Sequence, residues 1–199
     1  MNVKRKYLYI LFYKPYGVLS QFTYDTLQES LAAFNFPKNV YSVGRLDKDS
    51  EGLLLLTNDG KFKHFLIEPR YDHPRTYAVQ VEKVPDEQAL NQLRTGIVID
   101  GVKTKPAKIR ILDREPNFPL RSKPIRFRIN VQTCWLEMVL TEGRNRQVRK
   151  MTAAAGHPTL RLVRTHIMFL SLGDLKPGTW RYLSETEVKK INQAVNPAS

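Results

Sequence analysis

The sequence predicts an α+β fold, in which a mixed, largely antiparallel sheet carries flanking helices. Apolar and aromatic runs that are typical of strands outnumber the segments in which apolar residues recur at helical spacing. Short turns rich in Gly, Pro, Asn and Asp separate most of these runs. The chain has no internal repeat, no low-complexity tract and no obvious linker, so residues 1–199 are expected to form a single domain.

In the first part of the chain, strands are predicted at residues 6–12 and 18–22, and helical spacing marks residues 26–34. Leu53 to Leu56 is a wholly apolar run, which is typical of a buried strand or of the start of a buried helix. The turn signal Thr57-Asn58-Asp59-Gly60 follows, and Asn58 or Asp59 is suited to cap the next helix.

The second part of the chain alternates in the same way. Strands are expected at 77–84, 125–131, 135–140, within 160–172 and at 179–183. Residues 97–100 are expected to form a hairpin with 105–112, and 113–124 an ordered loop. Helices are expected from Pro85-Asp86-Glu87 to Gly96, at 144–155 and at 185–195.

Charge is the strongest global signal. The 199 residues include 32 Lys and Arg against 19 Asp and Glu, a net charge of +13. Such a balance favours a polyanionic partner, most often nucleic acid, although a generally basic solvated surface is the alternative. No apolar run is long enough to span a membrane, and the first residues do not fit a signal peptide. The single cysteine, Cys134, excludes an internal disulfide framework, which indicates a cytoplasmic protein.

Residues 44–60 are the stretch around which the chain is organised. A charged, glycine-bracketed segment precedes the Leu53–Leu56 run, so a reactive side chain there would be anchored to buried structure. Asp47, Asp49, Glu51 and Gly52 match the first positions of a calcium loop, but Asn58 stands where a bidentate Glu is needed. The histidines show no ligand-like spacing either, and no metal is expected.

Asp47 is instead a candidate nucleophile, because a carboxylate can attack an electrophilic carbon and leave again. A buried carboxylate needs a cationic partner to stay ionised. The alternative is that Asp47 only caps a turn.

A second cluster, residues 142–150, is rich in arginine and leads into the helix predicted from Val148, Met151 and Ala155. Arginines in the first turn of a helix oppose its dipole, which favours a bound anion such as a nucleic-acid phosphate. A solvated basic helix face is the alternative. Tyr77, at a strand start, either stacks on an unpaired base or is part of the core, and the residues alone favour the core.

Together, residues 14–18, 44–60, 142–151 and 160–164 resemble the motifs of the pseudouridine synthases, in particular the family of the ribosomal small-subunit enzyme A. The resemblance covers nearly the whole chain in the right order. It implies that fold, with a central cleft between two lobes and no separate RNA-binding domain, since only residues 1–13 precede the first motif. Within the family, the chain resembles short enzymes that modify a single uridine in 23S ribosomal RNA.

The resemblance also implies roles for individual residues. Asp47 would be the catalytic aspartate, Arg149 its partner in the cleft, Tyr77 the residue that stacks on the uracil and Leu162 a neighbour of the flipped base. Arg45 would hold the RNA, and backbone contacts are expected from Lys14, Arg144, Arg146 and Lys150. The implied reaction converts uridine to pseudouridine without a cofactor.

The expected partner is ribosomal RNA, free or in assembly intermediates, and the expected form is a monomer without membrane association. Two other functions are compatible with parts of the sequence. A non-catalytic RNA-binding assembly factor would explain the charge, and a metal-dependent nuclease would use Asp47, Asp49 and Asp59.

Overall fold

The computed structural model describes residues 7–23, 29–125 and 131–195. Its strands and helices follow in the order β1 (Tyr9–Lys14), β2 (Tyr41–Ser42), β3 (Glu51–Thr57), α1 (Gly60–Ile67), β4 (Arg75–Glu82), α2 (Glu87–Thr95), β5 (Val98–Ile99), β6 (Val102–Lys103), β7 (Lys108–Ile111), β8 (Thr133–Leu140), α3 (Gln147–Ala154), β9 (Thr159–Ile167), β10 (Leu170–Ser171), β11 (Trp180–Tyr182) and α4 (Glu185–Val195). Short 3-10 helices span Leu31–Phe34 and Pro69–Tyr71. The predicted combination of a largely antiparallel sheet with helices is confirmed.

The chain divides into two compact units, Met1–Tyr71 with Leu172–Ser199 and Asp72–Ser171. In the first unit, β1 lies between β11 and β3, and β2 pairs with the C-terminal end of β3. All three pairings are antiparallel. All of β3 is buried, which explains why its central residues, Leu53 to Leu56, are continuously apolar rather than alternating. Ile10 and Phe12 of β1 and Leu54 and Leu56 of β3 form one cluster with buried side chains of the connecting segment. Those side chains are Val18, Leu31 and Val40.

Helix α1 begins where the sequence predicts. The side chain of Asp59 caps it by accepting hydrogen bonds from the N–H groups of Lys61 and Phe62, at 3.0 and 3.1 Å. Phe62 and Leu66, four residues apart, form its buried side. The cap fixes the end of β3 that is remote from the charged segment 44–50.

In the second unit, the antiparallel sheet has the order β9-β4-β8-β7, with β10 paired to β9. Strand β4 therefore lies at its centre, between β9 and β8. Helix α2 packs beside β7, and α3 packs beside β9 and β5. Asp86 caps α2 through the N–H of Ala89 at 2.8 Å, as expected from the Pro85-Asp86-Glu87 signal.

Several predicted elements differ from the structure. Residues 18–22 are not a strand, because Leu19 N–H donates to Glu29 O and Leu31 N–H donates to Gln21 O in an irregular segment. Residues 97–100 form their hairpin with β6, whereas β7 pairs with β8. Of the helix expected at 26–34, the described part contains only the 3-10 turn Leu31–Phe34. Residues 126–130 of the strand expected at 125–131 lie outside the described residues.

Helix α3 begins at Gln147 rather than at Arg144, because Arg146 adopts a left-handed backbone conformation with φ +52°. Val148 and Met151 are buried as predicted, whereas Ala155 is half-buried and lies just after the helix. Among the described residues, no helix combines the length and the apolar character needed to cross a membrane.

Candidate active site

Asp47 lies in the loop of the β2–β3 hairpin, residues 44–50, which we call the Asp47 loop. The hairpin closes through Val43 N–H, which donates to Leu55 O at 2.8 Å. Within the loop, Ser50 N–H donates to Asp47 O at 3.0 Å and forms a tight turn. Leu46 is buried, Asp47 is half-buried and Arg45 is exposed. The loop thus presents a carboxylate at the surface from a base that is fixed to the buried strand β3.

The segment after β1 holds the Asp47 loop from outside the hairpin. Gly17 N–H donates to Lys48 O at 2.8 Å. The Ser20 hydroxyl donates to Leu46 O at 2.8 Å and accepts from Leu46 N–H at 3.0 Å. Sequence reasoning placed a motif at residues 14–18 but assigned no role to Gly17 or Ser20. For Gly17 the available signal was the motif itself, and Ser20 lies outside that motif. Both contacts join residues that are distant in the chain.

Lys14 occupies a different position from the one expected for an RNA contact. Its side chain is 0% exposed, and its ammonium donates to Val18 O at 2.6 Å and to Pro15 O at 3.0 Å. The structure therefore does not support the predicted phosphate contact, because a fully buried cation bound to carbonyls offers no surface to RNA. Instead Lys14, the last residue of β1, shapes the turn that carries Gly17.

Asp47, Asp49 and Asp59 do not form the shared metal site that a metal-dependent nuclease requires. Asp59 caps α1 and also accepts the Tyr9 hydroxyl on its second carboxylate oxygen. Strand β3, about 20 Å long at about 3.3 Å per residue, separates Asp59 from the Asp47 loop. The predicted alternative in which Asp47, Asp49 and Asp59 act together is therefore wrong. Within the part of the chain that the structure describes, His, Cys, Asp and Glu form no group of three or more that is suited to hold a metal ion.

In the second unit, Tyr77 and Leu162 lie on the two adjacent strands β4 and β9. Tyr77 is 9% exposed and stands opposite Arg164 on β9, next to a bulge between Thr76 and Tyr77. Leu162 lies two residues before Arg164, so both side chains belong to the same face of β9. Leu162 is 5% exposed, and it is paired in register with Val79.

Arg164 is the site residue that sequence reasoning missed. Burial lowers the pKa of its guanidinium, while a side-chain hydrogen bond with Tyr77 acts in the opposite direction and the nearby Arg75 lowers the pKa further. Its position inside the motif at 160–164 was visible, but the contact with Tyr77 depends on the register of β4 and β9. A buried arginine thus stands opposite the tyrosine that the resemblance assigns to the uracil.

The basic cluster is divided between exposed and engaged side chains. Arg144 donates to Val102 O and Lys103 O at 3.2 and 2.9 Å, and Lys150 forms an ion pair with Asp100. Both residues hold the β5–β6 hairpin, and about a third of each side chain is exposed. Arg146, at the cap of α3, is exposed, and it lies before the first turn rather than within it.

Arg149 is the one arginine in the first turn of α3. It is half-buried and donates to Thr159 O at 3.4 Å, which links the helix to the start of β9. Glu142 organises the approach to this turn: its carboxylate accepts from Lys105 N–H at 2.9 Å and from the Gln147 side chain at 2.6 Å. The cluster therefore has a defined structure, which an ordinary solvated helix face does not require.

Comparisons with known proteins identify the family. A sequence model described as RNA pseudouridylate synthase matches residues 8–154. A ribosomal large subunit pseudouridine synthase E of Xanthomonas campestris is 51% identical over 174 residues, 86% of this chain and 93% of that protein. The protein of the same name from Vibrio parahaemolyticus is 49% identical over 172 residues, 86% of this chain and 72% of that protein.

A solved structure agrees with these sequence matches. A crystal structure of a pseudouridylate synthase superposes with a TM-score of 0.75 at 28% identity, covering 94% of this chain and 74% of that one. The predicted family and fold are confirmed: the chain belongs to the RNA pseudouridylate synthases, isomerases that convert uridine in RNA to pseudouridine.

Proposed function

We propose that this chain isomerises one uridine of large-subunit, 23S ribosomal RNA and that the Asp47 carboxylate performs the chemistry. The observation that carries this proposal is the half-buried Asp47 on a loop tied to the fully buried strand β3. The large-subunit target is supported by the names of the relatives that are 51% and 49% identical.

The reaction requires few catalytic groups. The bond between C1′ of the ribose and N1 of the uracil breaks, and a bond between C1′ and C5 forms. The proton on C5 is lost and N1 gains one, so substrate and product are isomers and no oxidant, reductant or group donor is consumed. A single carboxylate is sufficient as a covalent or proton-transferring group, whether it attacks the ring, attacks the sugar carbon or acts first as a base.

The uridine has to leave its stack before Asp47 can reach it, at a cost of a few kcal/mol that is smallest for an unpaired base. We propose that Tyr77 stacks on the extruded uracil and that Leu162 provides an apolar contact. The position of Tyr77 supports this role, because the directly opposed, buried Arg164 on β9 restricts the orientation of the tyrosine side chain before RNA arrives.

Arginines are proposed to supply the ionic contacts. Arg149 serves as the cationic partner of the reaction, and the exposed Arg45 and Arg146 bind phosphates. Arg144 and Lys150 contribute charge from the exposed parts of their side chains while they hold the β5–β6 hairpin. The net charge of +13 supports an RNA partner and predicts an affinity that falls steeply with salt.

We further propose that the chain acts as a monomeric, single catalytic domain in the cytoplasm, where bacterial ribosomal RNA is made. It is expected to need no cofactor and no metal, so activity should survive a strong chelator.

The proposal is tested by mapping pseudouridine in ribosomal RNA from a strain that lacks this protein and from the same strain carrying wild type or D47N. We expect one large-subunit site to disappear in the deletion strain, to return with wild type and to remain absent with D47N. An unchanged set of sites would refute the proposal, and a missing small-subunit site would refute the target alone. A non-catalytic assembly factor predicts that D47N complements the deletion as well as wild type.

A further inference from the structure

We propose that Ser20 is a positioning residue for Asp47, because its hydroxyl clamps the peptide group that leads directly into the aspartate. The proposal rests on the catalytic role of Asp47 given above. Ser20 Oγ donates to Leu46 O at 2.8 Å and accepts from Leu46 N–H at 3.0 Å. The carbonyl of Leu46 shares a planar peptide unit with the N–H of Asp47. One hydroxyl therefore restricts rotation on both sides of Leu46 and sets the direction in which the Asp47 backbone begins.

The clamp is itself connected to the sheet. Ser20 is 6% exposed, so its hydrogen bonds face little competition from water. The Ser42 hydroxyl donates to Ser20 O at 3.2 Å, and Ser42 is paired with Leu56 of β3. Contacts therefore run from the buried strand through Ser42 and Ser20 to the residue before Asp47.

The Asp47 loop needs such an external support because of its glycines. Gly44, the first residue of the loop, and Gly52, two residues after its end, have φ values of +71° and +105°, and glycine leaves the backbone free to adopt many other conformations. Gly17 N–H holds the other side of the loop through Lys48 O. The Ser20 clamp differs from that contact because it is made by a side chain, so substitution can remove it without changing the backbone.

The alternative is that Ser20 only satisfies a buried backbone segment, as any buried polar group must. In that case its loss would lower stability but leave the chemistry of folded molecules unchanged. A positioning role predicts the opposite pattern, because displacement of a reacting group by about 1 Å costs about 100-fold in rate.

We therefore compare single-turnover rates at saturating large-subunit RNA for wild type, S20A and the pair S20T and S20V. Threonine and valine have nearly the same shape and differ in the hydroxyl, so their comparison cancels the effect of the added methyl groups. We expect S20A to react about 10–100-fold more slowly than wild type, and S20V to react about 10–100-fold more slowly than S20T. The RNA dissociation constants should be unchanged in both comparisons. T57V is the matched control: it removes a buried hydroxyl that likewise donates to a carbonyl, Leu8 O at 2.6 Å, and accepts from an N–H, that of Asp59 at 3.0 Å. Thr57 lies at the end of β3 that is remote from the Asp47 loop, and we expect a nearly wild-type rate.

Equal rates for S20T and S20V, measured below both melting temperatures, would overturn the proposal. Hydrogen exchange of the Leu46 amide provides a readout that does not depend on activity: exchange should be faster in S20V than in S20T. If D47N were as active as wild type, the proposed function would fail, while Leu46 exchange would still test the clamp. An inactive D47N together with equal rates for S20T and S20V would refute the clamp alone.

Discussion

Replacing Lys14 with methionine distinguishes a structural role of this residue from a role in RNA binding. Methionine keeps most of the apolar length of the side chain but removes the ammonium group. In the structure that ammonium is completely buried and donates to Val18 O and Pro15 O. K14M therefore removes these donors from the carbonyl of the buried Val18 and from that of the half-buried Pro15, in the turn that carries Gly17.

The expected loss of stability follows from these two bonds. Hydrogen bonds to a charged group contribute about 1.5–3 kcal/mol each. The variant no longer has to bury a cation, and the desolvation cost that is avoided offsets part of the lost hydrogen-bond energy. We expect K14M to lower the free energy of unfolding by about 2–4 kcal/mol. For a chain of this size, that corresponds to a fall in melting temperature of about 4–16 °C.

The assay combines thermal melting with RNA binding over a range of salt concentrations. K48M is the matched control in the same unit, because Lys48 is exposed and its ion pair with Glu29 contributes at most about 1 kcal/mol. We expect K14M to melt well below wild type and to retain the wild-type salt dependence of RNA affinity. A wild-type melting temperature, together with a salt slope reduced by about 0.7–0.9, would instead identify Lys14 as a phosphate contact and refute the reasoning.

Three further predictions address other parts of the chain. D59A should lower the free energy of unfolding by about 1–3 kcal/mol, measured by denaturant, because α1 loses its cap and the Tyr9 hydroxyl its acceptor, yet leave the reaction rate unchanged. The Arg181 hydrogen bonds lower the pKa of Glu187 to about 2. The free energy of unfolding of wild type should therefore exceed that of E187Q by its largest amount above about pH 5, and this difference should disappear as the pH falls toward about 2. R146G should raise the melting temperature by relieving a left-handed arginine while weakening RNA binding. A lower melting temperature in R146G, or a pH-independent E187Q difference, would contradict these expectations.

Much of the fold was predictable because its signals are local. The apolar run of β3, the Asp59 cap of α1 and the Asp86 cap of α2 each lie within a few residues of the structure they specify. Helix α4 was predicted with its observed boundaries, and its Ser184 and Glu187 cap one another's backbone groups.

The errors concern choices that local patterns do not encode. Residues 18–22 have the composition of a strand, but their backbone groups bond to Glu29 and Leu31 in an irregular arrangement. The chain at 97–112 contains several extended segments, and only the tertiary structure decides that β7 pairs with β8. In both cases the pairing partner, rather than the tendency to extend, was unknown.

The candidate site shows the same division. Asp47 was predicted as the nucleophile from a charged loop between glycines and from the family motifs, and its catalytic role stays a prediction. The proposed roles of Ser20 and Arg164 could not be predicted, because they depend on the contact with Leu46 and on the pairing opposite Tyr77, which exist only in the fold. Lys14 shows the converse: its place in a motif suggested a role in binding, and its burial indicates a role in structure.

The most direct test of the central claim measures the fate of the hydrogen on C5 of the target uridine. Large-subunit ribosomal RNA carrying tritium at C5 of its uridines should release tritium into water when incubated with the wild-type protein, up to one equivalent per RNA. D47N, which keeps the size of the side chain, should bind the same RNA and release none. Release by D47N at the wild-type rate would contradict the assignment of the chemistry to Asp47.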